Sequence, residues 1–219
     1  MDMKCTFCLQ QHDGQPLHVK WEILEIKRSS LLEFKVAIIS RQLKQLRHLY
    51  LPEECSRKTK LKLGTLKDLQ TLVNFNTKNC YVKDLINMTN LRELEIRGPF
   101  NMEDFNMEEL DKNPPIIQKA FIGEEMLCSA QCFPKLESLN LIMHNNLKEW
   151  KVGEGAMPSL QRLKIQACEQ LKKLPDGLRF IATLQELKIR WMPNTIEDRV
   201  KEGGEDFCKV LHVPTIIFQ

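Results

Sequence analysis

The residues best suited to chemistry stand at the start of the chain, where two cysteines lie three positions apart. Cys5 and Cys8 form a C-x-x-C pair, and His12 and His18 follow shortly after. Thiolate and imidazole are ligands that zinc prefers, so a zinc site is one interpretation. The common zinc finger, however, needs a second C-x-x-C or a longer cysteine-to-histidine spacing, which this segment lacks. We favour the alternative, an irregular and frayed terminus.

No further arrangement of reactive side chains predicts catalysis. His144 and His212 have no acidic partner at motif spacing, and Cys128 and Cys132 are expected to be buried or idle thiols. Nucleophile–base pairs, paired carboxylates and metal clusters at recognisable spacings are also missing, as is the phosphate-binding pattern G-x-x-x-x-G-K-[ST]. We therefore expect no enzyme, no cofactor, and no catalytic, cofactor-binding or metal-ligating residue.

Charge, hydropathy and cysteine usage narrow the class of protein. The 219 residues include 32 basic and 29 acidic side chains, which gives a formal net charge of +3. This balance predicts no nucleic-acid partner. The longest apolar run, residues 36–39, is too short to span a bilayer, and the first residues contain no apolar signal segment. Eight cysteines, mostly scattered singly, then indicate a cytoplasmic chain with free thiols and without stable membrane insertion.

The elements that would position any functional residue are repeats, and they are clearest between Met157 and Ile189. The pattern L-x-x-L-x-I begins at Leu160 and recurs 24 residues later at Leu184. Its last two apolar residues are two apart, so they face the same side of a strand. Cys168 then occupies the turn position at which leucine-rich repeats take Asn or Cys. One such coil cannot bury its apolar face alone, so coils stack and share a core.

The same pattern predicts strands earlier in the chain, in units that begin at Trp21, Leu46, Leu69, Leu91, Ile117 and Leu136. In the unit at Leu69, Asn74 replaces the last apolar residue, and we expect Phe75 to compensate by a local shift. At Trp21 a second interpretation stays open, because residues 17–23 also alternate between apolar and polar types, which would turn the opposite strand face inward.

The repeat pattern divides the chain into three parts. Residues 1–40 are predicted to be irregular or a degenerate repeat, residues 41–193 to be leucine-rich repeats, and residues 194–219 to be a C-terminal cap. The 45 residues between Leu91 and Leu136 fit two repeats, so one unit, around residues 99–123, is predicted to be degenerate. In the cap we expect a short helix that ends at Lys201 and a last strand over residues 213–218.

These observations predict an α/β fold. We expect a leucine-rich-repeat solenoid, a curved horseshoe, with a parallel sheet on the concave face and irregular loops and short helices on the convex face.

Several segments match the motifs of a known family. They are Q-L-R-H-L-Y-L-P at 45–52, L-G-T-L-K-D-L-Q-T-L at 63–72, D-L-I-N-M-T-N-L-R-E-L at 84–94, C-F-P-K-L-E-S-L-N-L at 132–141, L-K-E-W-K-V-G-E-G-A-M-P-S-L at 147–160 and L-P-D-G-L-R-F at 174–180. Together they resemble the C-terminal part of the leucine-rich-repeat region of plant coiled-coil nucleotide-binding leucine-rich-repeat (CC-NB-LRR, NLR) disease-resistance proteins. The resemblance covers about residues 42–219.

The resemblance implies a part of an intracellular immune receptor. In similar proteins the repeat region helps to hold the receptor inactive, and it senses pathogen effectors directly or through guarded host proteins. The implied partners are therefore an effector, a guarded host protein or the receptor's own nucleotide-binding domain. Because neither a phosphate loop nor coiled-coil heptads precede the repeats, we expect a C-terminal fragment or a truncated paralogue that could bind but could not switch by itself.

The candidate binding surface follows from strand alternation. Positions that alternate with the inward aliphatic residues face solvent on the concave side. They are His48, Tyr50, Val73, Phe75, Glu93, Glu95, Arg97, Asn140, Arg162, Lys164, Glu186, Lys188 and Arg190. The first rows are aromatic or apolar, the third is acidic with one arginine, and the last two are basic. Exposed aromatic residues beside charged rows are typical of protein-binding surfaces; the alternative is that the charged rows only keep the sheet soluble.

We therefore predict a protein–protein interaction module of an intracellular plant immune receptor, implicated in effector or guarded-protein recognition and in autoinhibition during defence. Two alternatives stay open. One is a leucine-rich-repeat adaptor outside immunity, such as the substrate-recognition arm of a ubiquitin ligase. The other is a non-functional truncated paralogue.

Overall fold

The structure is a computed structural model that describes residues 4–8, 20–25, 43, 45–53, 61–76, 79–98, 121–122, 125–128, 130 and 132–219. Its strands are β1 (Lys4–Cys8), β2 (Lys20–Glu25), β3 (His48–Tyr50), β4 (Thr71–Phe75), β5 (Glu93–Arg97), β6 (Phe121–Ile122), β7 (Glu125–Cys128), β8 (Ser138–Ile142), β9 (Glu149–Val152), β10 (Arg162–Gln166), β11 (Glu186–Arg190) and β12 (Thr215–Phe218). Two short helices follow β11, α1 (Asn194–Val200) and α2 (Phe207–Val210). Segments of 3₁₀ helix span Val82–Asn87 and Asp176–Phe180.

Within this described part, nine strands form one main sheet in the order β1-β2-β3-β4-β5-β8-β10-β11-β12. All neighbours from β2 to β12 are parallel, and only β1 runs antiparallel to β2. Strands β6, β7 and β9 form a second, smaller sheet. Parallel strands that neighbour each other in chain order need a long connection between each pair. The fold is α/β, and its main sheet is mostly parallel. This arrangement is compatible with leucine-rich repeats.

The repeat leucines lie in register across the main sheet. Leu163 in β10 stands beside Leu139 in β8 and Leu187 in β11, and the aliphatic residues two positions later are aligned in the same way. These side chains are buried in one continuous apolar core. The alternation that the sequence predicts is therefore confirmed for β10 and β11, whereas in β8 Ser138 and Ile142 are buried as well.

The first leucine of each motif closes a turn before its strand. Its N–H donates to the carbonyl oxygen three residues earlier, in the pairs Leu46–Leu43, Leu69–Leu66, Leu91–Met88, Leu136–Phe133, Leu160–Met157 and Leu184–Ile181. All six of these leucines are buried. The spacing L-x-x-L-x-I thus combines one turn residue with two inward strand residues, which explains why the first two leucines are three positions apart.

Strand β4 contains the local shift predicted at Asn74. Asn74 has a φ of 60°, and the pairing with β5 is irregular between Leu72 and Phe75. As a result Phe75 pairs with Ile96 and is fully buried in the core. Asn is among the few residues that adopt a left-handed conformation at low cost. Phe75 therefore replaces the missing aliphatic residue, and its placement on the exposed face was wrong.

No strand of the main sheet lies between β5 and β8, although 45 positions separate the motifs at Leu91 and Leu136. β5 pairs directly with β8 along its whole length, from Glu93 beside Ser138 to Arg97 beside Ile142. The degenerate unit predicted around 99–123 therefore contributes no strand between them. Of that unit, Phe121–Ile122 forms β6 in the smaller sheet, where it pairs antiparallel with β7. Ile117 and the segment before it lie outside the described residues.

At the other end of the sheet, the expectation of a frayed terminus was wrong for residues 4–8, which form β1. The repeat register at Trp21 is the one observed: Ile23 stands beside His48 and Leu24 beside Leu49. Ile23 is 37% exposed, whereas the alternating interpretation would bury it. His12 and His18 lie outside the described residues.

The C-terminal segment completes the same core. Helix α1 begins at Asn194, and β12 adds a parallel strand beside β11, so both element predictions are confirmed. Ile196, Val200 and Val210 are buried with the repeat leucines. Before α1, a Cβ on Gly177 would overlap the carbonyl oxygen of Val152 in β9, so glycine allows the 3₁₀ segment to pack closely against that strand.

Candidate protein-binding face

The side of the main sheet opposite the core is called the open face below. Its central positions are the strand residues between the two inward side chains. Tyr50 lies beside Val73, and Glu95, Asn140, Lys164 and Lys188 lie side by side across β5, β8, β10 and β11. These side chains are all partly exposed. Because adjacent strands are about 4.8 Å apart, the residues form a continuous row.

Two flanking rows hold the other predicted residues. At the start of the strands lie His48, Glu93, Arg162 and Glu186. Buried Thr71 and Ser138 stand between them, and His48 Nδ1 is 3.0 Å from Thr71 Oγ1. At the end of the strands lie Arg97 and Arg190. The structure thus places every candidate except Phe75 on the open face.

Several charges on the open face are paired with each other, which the sequence did not indicate. Arg97 Nη2 lies 3.6 Å from Glu95 and 3.4 Å from Glu53, and Arg97 Nε donates to Asn74 Oδ1 at 3.0 Å. Lys188 Nζ lies 2.9 Å from Glu186. Apart from Glu53, the side chains in these ion pairs are only partly exposed. Their effect here is to neutralise much of the acidic row and part of the last basic row.

Lys164 differs from these neighbours. Among the described residues, no carboxylate lies within salt-bridge distance of its ammonium group. Partial burial and the nearby Arg190 lower the pKa of Lys164; Arg97 and Lys188 act in the same direction, and Glu95 opposes them. The centre of the open face on β10 is therefore locally positive and short of negative charge.

Arg190 and Trp191 form the second distinctive feature. The guanidinium carbon of Arg190 lies 5.7 Å from the centroid of the Trp191 ring, within the range of a cation–π contact. Arg190 Nε is buried and, among the described residues, has no hydrogen-bond acceptor. Trp191 is 67% exposed. By contrast, Trp150 is buried in the core.

The turns after β8 and β10 each contain a side chain that reaches back to the preceding strand of the main sheet. Cys168 Sγ lies 3.9 Å from the carbonyl oxygen of Leu141, and His144 Nε2 lies 3.0 Å from that of Ile96. Both residues come three positions after the last aliphatic residue of their motif. Sequence reasoning identified this position for Cys168 and missed it for His144, although the spacing is identical.

Burial makes both groups unsuited to chemistry. It lowers the pKa of His144 to about 4, against the opposing effect of the hydrogen bond to Ile96. It raises the pKa of the Cys168 thiol to about 11 and that of Cys128 to about 12. A neutral thiol is a poor nucleophile at neutral pH. These residues are therefore structural.

The buried imidazole predicts a pH-dependent stability. Below the ordinary pKa of 6.5 the unfolded chain binds a proton that folded His144 does not accept until about pH 4, so stability falls as the pH drops through this window. We expect a loss of about 2 kcal/mol between pH 7 and pH 5, measured by urea unfolding. The variant His144→Asn, which keeps a donor for Ile96, should lack this loss.

The exposed His212, whose Nε2 lies 3.0 Å from the carbonyl oxygen of Ile181, provides the matched control. His212→Asn should retain the wild-type pH dependence. Equal slopes for the wild type and His144→Asn would contradict the assignment to His144.

No group of three or more His, Cys, Asp or Glu side chains that could hold a metal ion occurs in the described ranges. Nor does any described helix combine the length and the apolar character needed to cross a bilayer. The open face combines aromatic and charged side chains on parallel strands of one sheet.

Comparison with known proteins finds similarity to plant disease resistance proteins. No family model matches the chain. The chain is 30% identical to the disease resistance protein RPP8 over 82% of its length, and 31% identical to the disease resistance protein RPH8A over 80%. It is 29% identical to the disease resistance RPP8-like protein 3 over 96%. All three are from Arabidopsis thaliana. The chain spans only 28 to 33% of the length of these relatives.

At about 30% identity over most of its length, the chain is a homologue of the RPP8-like plant disease resistance proteins, which are of the CC-NB-LRR type.

Proposed function

We propose that the chain is a protein-interaction module that acts in plant defence, and that it binds its partner on the open face of the main sheet. The observation that carries this proposal is the continuous row of partly exposed side chains across β5, β8, β10 and β11. A row of this kind presents a large surface without a deep cavity. Such a surface suits a protein partner better than a small molecule.

The proposed architecture follows from the stacked coils. The main sheet is the concave side of a leucine-rich-repeat solenoid, residues 41–193 are its repeats, and residues 194–219 are its C-terminal cap. The buried apolar residues of α1 and α2 support the cap, because they cover the core beside the last repeat. Curvature of the sheet would let one partner contact several strands at once.

The proposed role is recognition without catalysis in the cytoplasm. The relatives RPH8A and RPP8 are disease resistance proteins, and the chain aligns with less than a third of each. The partner is a pathogen effector, a guarded host protein or the nucleotide-binding domain of the same receptor. Binding to the last of these would hold the receptor inactive.

Site-specific photocrosslinking tests the location of the binding surface. A photoreactive phenylalanine derivative replaces either Asn140, in the central row, or Lys172, an exposed residue between β10 and the following 3₁₀ segment. The chain is then expressed in leaves that carry the candidate partner. We expect a covalent adduct with the partner from position 140 and none from position 172. Adducts from position 172 alone would move the site to another face.

Charge reversal gives the corresponding functional prediction. The variant with Arg162, Lys164, Lys188 and Arg190 all changed to Glu should lose the interaction, because the partner's side of the interface would meet repulsion across two strands. Its thermal unfolding should stay close to wild type, because the four side chains lie outside the apolar core. Co-precipitation and circular dichroism measure the two outcomes. Undiminished binding would contradict the proposal.

A further inference from the structure

We infer that the C-terminal part of the open face is a binding site for an acidic segment of a protein partner. A carboxylate of this segment would lie between Lys164 and Arg190, and an apolar side chain would pack on Trp191. This inference rests on the proposed function and specifies the chemistry of the partner. It is built from the charge balance of the open face, the burial of its cations and the exposed indole at its edge.

The charge balance leaves three cations without a negative partner. Arg97 is held by Glu95 and Glu53, and Lys188 by Glu186. Among the described residues, no carboxylate lies within salt-bridge distance of Arg162, Lys164 or Arg190. Two of these three cations stand on β10, and the third lies on the adjacent strand, β11. The unpaired positive charge is thus concentrated at one place on the sheet.

The surroundings of these cations favour an anion. Lys164 is partly buried, and after burial the positive charge of Arg190 is the largest of the effects that lower its pKa. Arg190 in turn holds a buried Nε–H that no described group accepts. Both arrangements are costly without a counter-charge. A carboxylate placed between the two side chains would accept hydrogen bonds from both and relieve the repulsion between them.

The indole beside Arg190 provides an apolar contact. The residues directly after β8, β10 and β11 are Met143, Ala167 and Trp191, and all three have positive φ. The N–H of each donates to the carbonyl oxygen of the last residue of the next strand, or of the residue after it. The turn therefore accounts for the positive φ angles. Met143 is 46% and Trp191 67% exposed. Their backbones are two strand spacings apart, which is about 10 Å.

An arginine stacked on an exposed tryptophan is the kind of group that dominates binding energy at protein interfaces. The carboxylates of Glu93, Glu95 and Glu186 on the same face argue against a nucleic acid, because a continuous phosphate backbone would pass close to them. A short acidic segment with one apolar residue avoids this repulsion. The chemistry of the face therefore fits an acidic peptide.

A labelled peptide tests this inference on the full chain. The probe is a fluorescein-labelled peptide of glutamates with one central leucine, and fluorescence anisotropy measures its dissociation constant. We expect the double variant Lys164→Gln, Arg190→Gln to bind about tenfold or more weakly, because two charged contacts are lost. Trp191→Ala should weaken binding by a similar factor. Replacing the glutamates of the peptide with glutamine should abolish binding to the wild type.

The matched control removes two exposed lysines elsewhere, as Lys172→Gln, Lys173→Gln, and should bind the acidic peptide like the wild type. An equal loss in this control would reduce the effect to general charge attraction and overturn the inference. So would absence of peptide binding, or equally tight binding of a thymidine oligonucleotide. Thermal unfolding of every variant shows whether a loss reflects misfolding. If crosslinking at position 140 succeeds while the peptide fails, the proposed function stands and only the acidic partner is wrong.

Discussion

Replacing Leu163 with Asp is expected to unfold the C-terminal repeats. Leu163 is 1% exposed and stands between Leu139 and Leu187 in the interior of the stacked strands. Removal of the buried leucine side chain alone costs about 2–5 kcal/mol. The carboxylate adds the cost of an unpaired buried charge. The sum approaches the whole stability of a typical domain, which is about 5–15 kcal/mol.

The adjacent variant Lys164→Asp is the control, because its side chain lies on the open face of the same strand. It should change the thermal midpoint little, whereas Leu163→Asp should lose the cooperative transition in circular dichroism. Hydrogen exchange should show the loss first in β8, β10 and β11, which share this layer. A normal transition for Leu163→Asp would mean that β10 does not face the core in this way.

Strand positions followed from the sequence because the repeat joins two independent signals. The inward pair, such as Leu163 and Ile165, gives a period of two, and the earlier leucine gives a buried turn three positions before. Where both signals are intact, the strand and its inward face were predicted correctly. In β4 the second inward residue is polar, and the burial of Phe75 required a change of register that alternation alone does not locate.

The insertion between β5 and β8 shows where spacing fails as a guide. A length of 45 residues is consistent with two coils or with one coil and an insertion. The structure shows that β5 bonds directly to β8, so no strand of a second coil lies between them. Strand β1 was missed for a related reason, because an antiparallel strand at a sheet edge need not repeat the motif of its neighbours.

The open face was predictable in outline but not in its chemistry. Alternation placed Lys164 and Lys188 on one face, yet only the coordinates show that Lys188 has a carboxylate partner and Lys164 has none within the described residues. Ion pairs depend on rotamers and on neighbouring strands, which a single sequence does not specify. The exposure of Trp191 likewise depends on the direction of the turn after β11.

Aspartates that cap the backbone of the preceding coil are a second device that the sequence did not reveal. Asp84 Oδ2 accepts the N–H of Leu63 at 2.6 Å, and Asp206 Oδ2 accepts the N–H of Leu174 at 2.9 Å. Both carboxylates are buried. A carboxylate at this position satisfies a backbone donor that would otherwise lie buried without an acceptor. The C-terminal segment thus attaches to the last repeats by the same contact that joins two coils within the repeats.

The Asp206 carboxylate also holds the basic groups of the C-terminal segment. Arg199 donates to it through Nε at 3.2 Å and Nη2 at 3.1 Å, and Lys209 Nζ lies 2.9 Å away. Lys209 is itself buried and donates to the carbonyl oxygen of Leu174 at 2.8 Å. One buried carboxylate therefore joins α1, α2 and the coil after β10.

Asp206→Ala is accordingly expected to destabilise the protein by about 3–5 kcal/mol, the usual cost of removing one partner from a buried charged pair. Among the described residues, the buried Lys209 ammonium would keep only the exposed Asp176 as counter-charge, and the Leu174 N–H would lose its acceptor. Urea unfolding measures the change. The neighbouring Glu205→Ala, which removes an exposed carboxylate that also pairs with Arg199, should cost much less.

The pH dependence separates Asp206 from His144. Burial alone would raise the pKa of Asp206, but hydrogen bonds from Arg199, Lys209 and the Leu174 N–H outweigh it and lower the pKa below its ordinary value of 3.8. Its contribution is therefore complete above this value and is lost only as the pH falls through the lower pKa of the folded state. The His144 contribution is lost earlier, between pH 6.5 and about 4. An Asp206→Ala variant that still loses stability below pH 4 as steeply as the wild type would place the acid-sensitive group elsewhere.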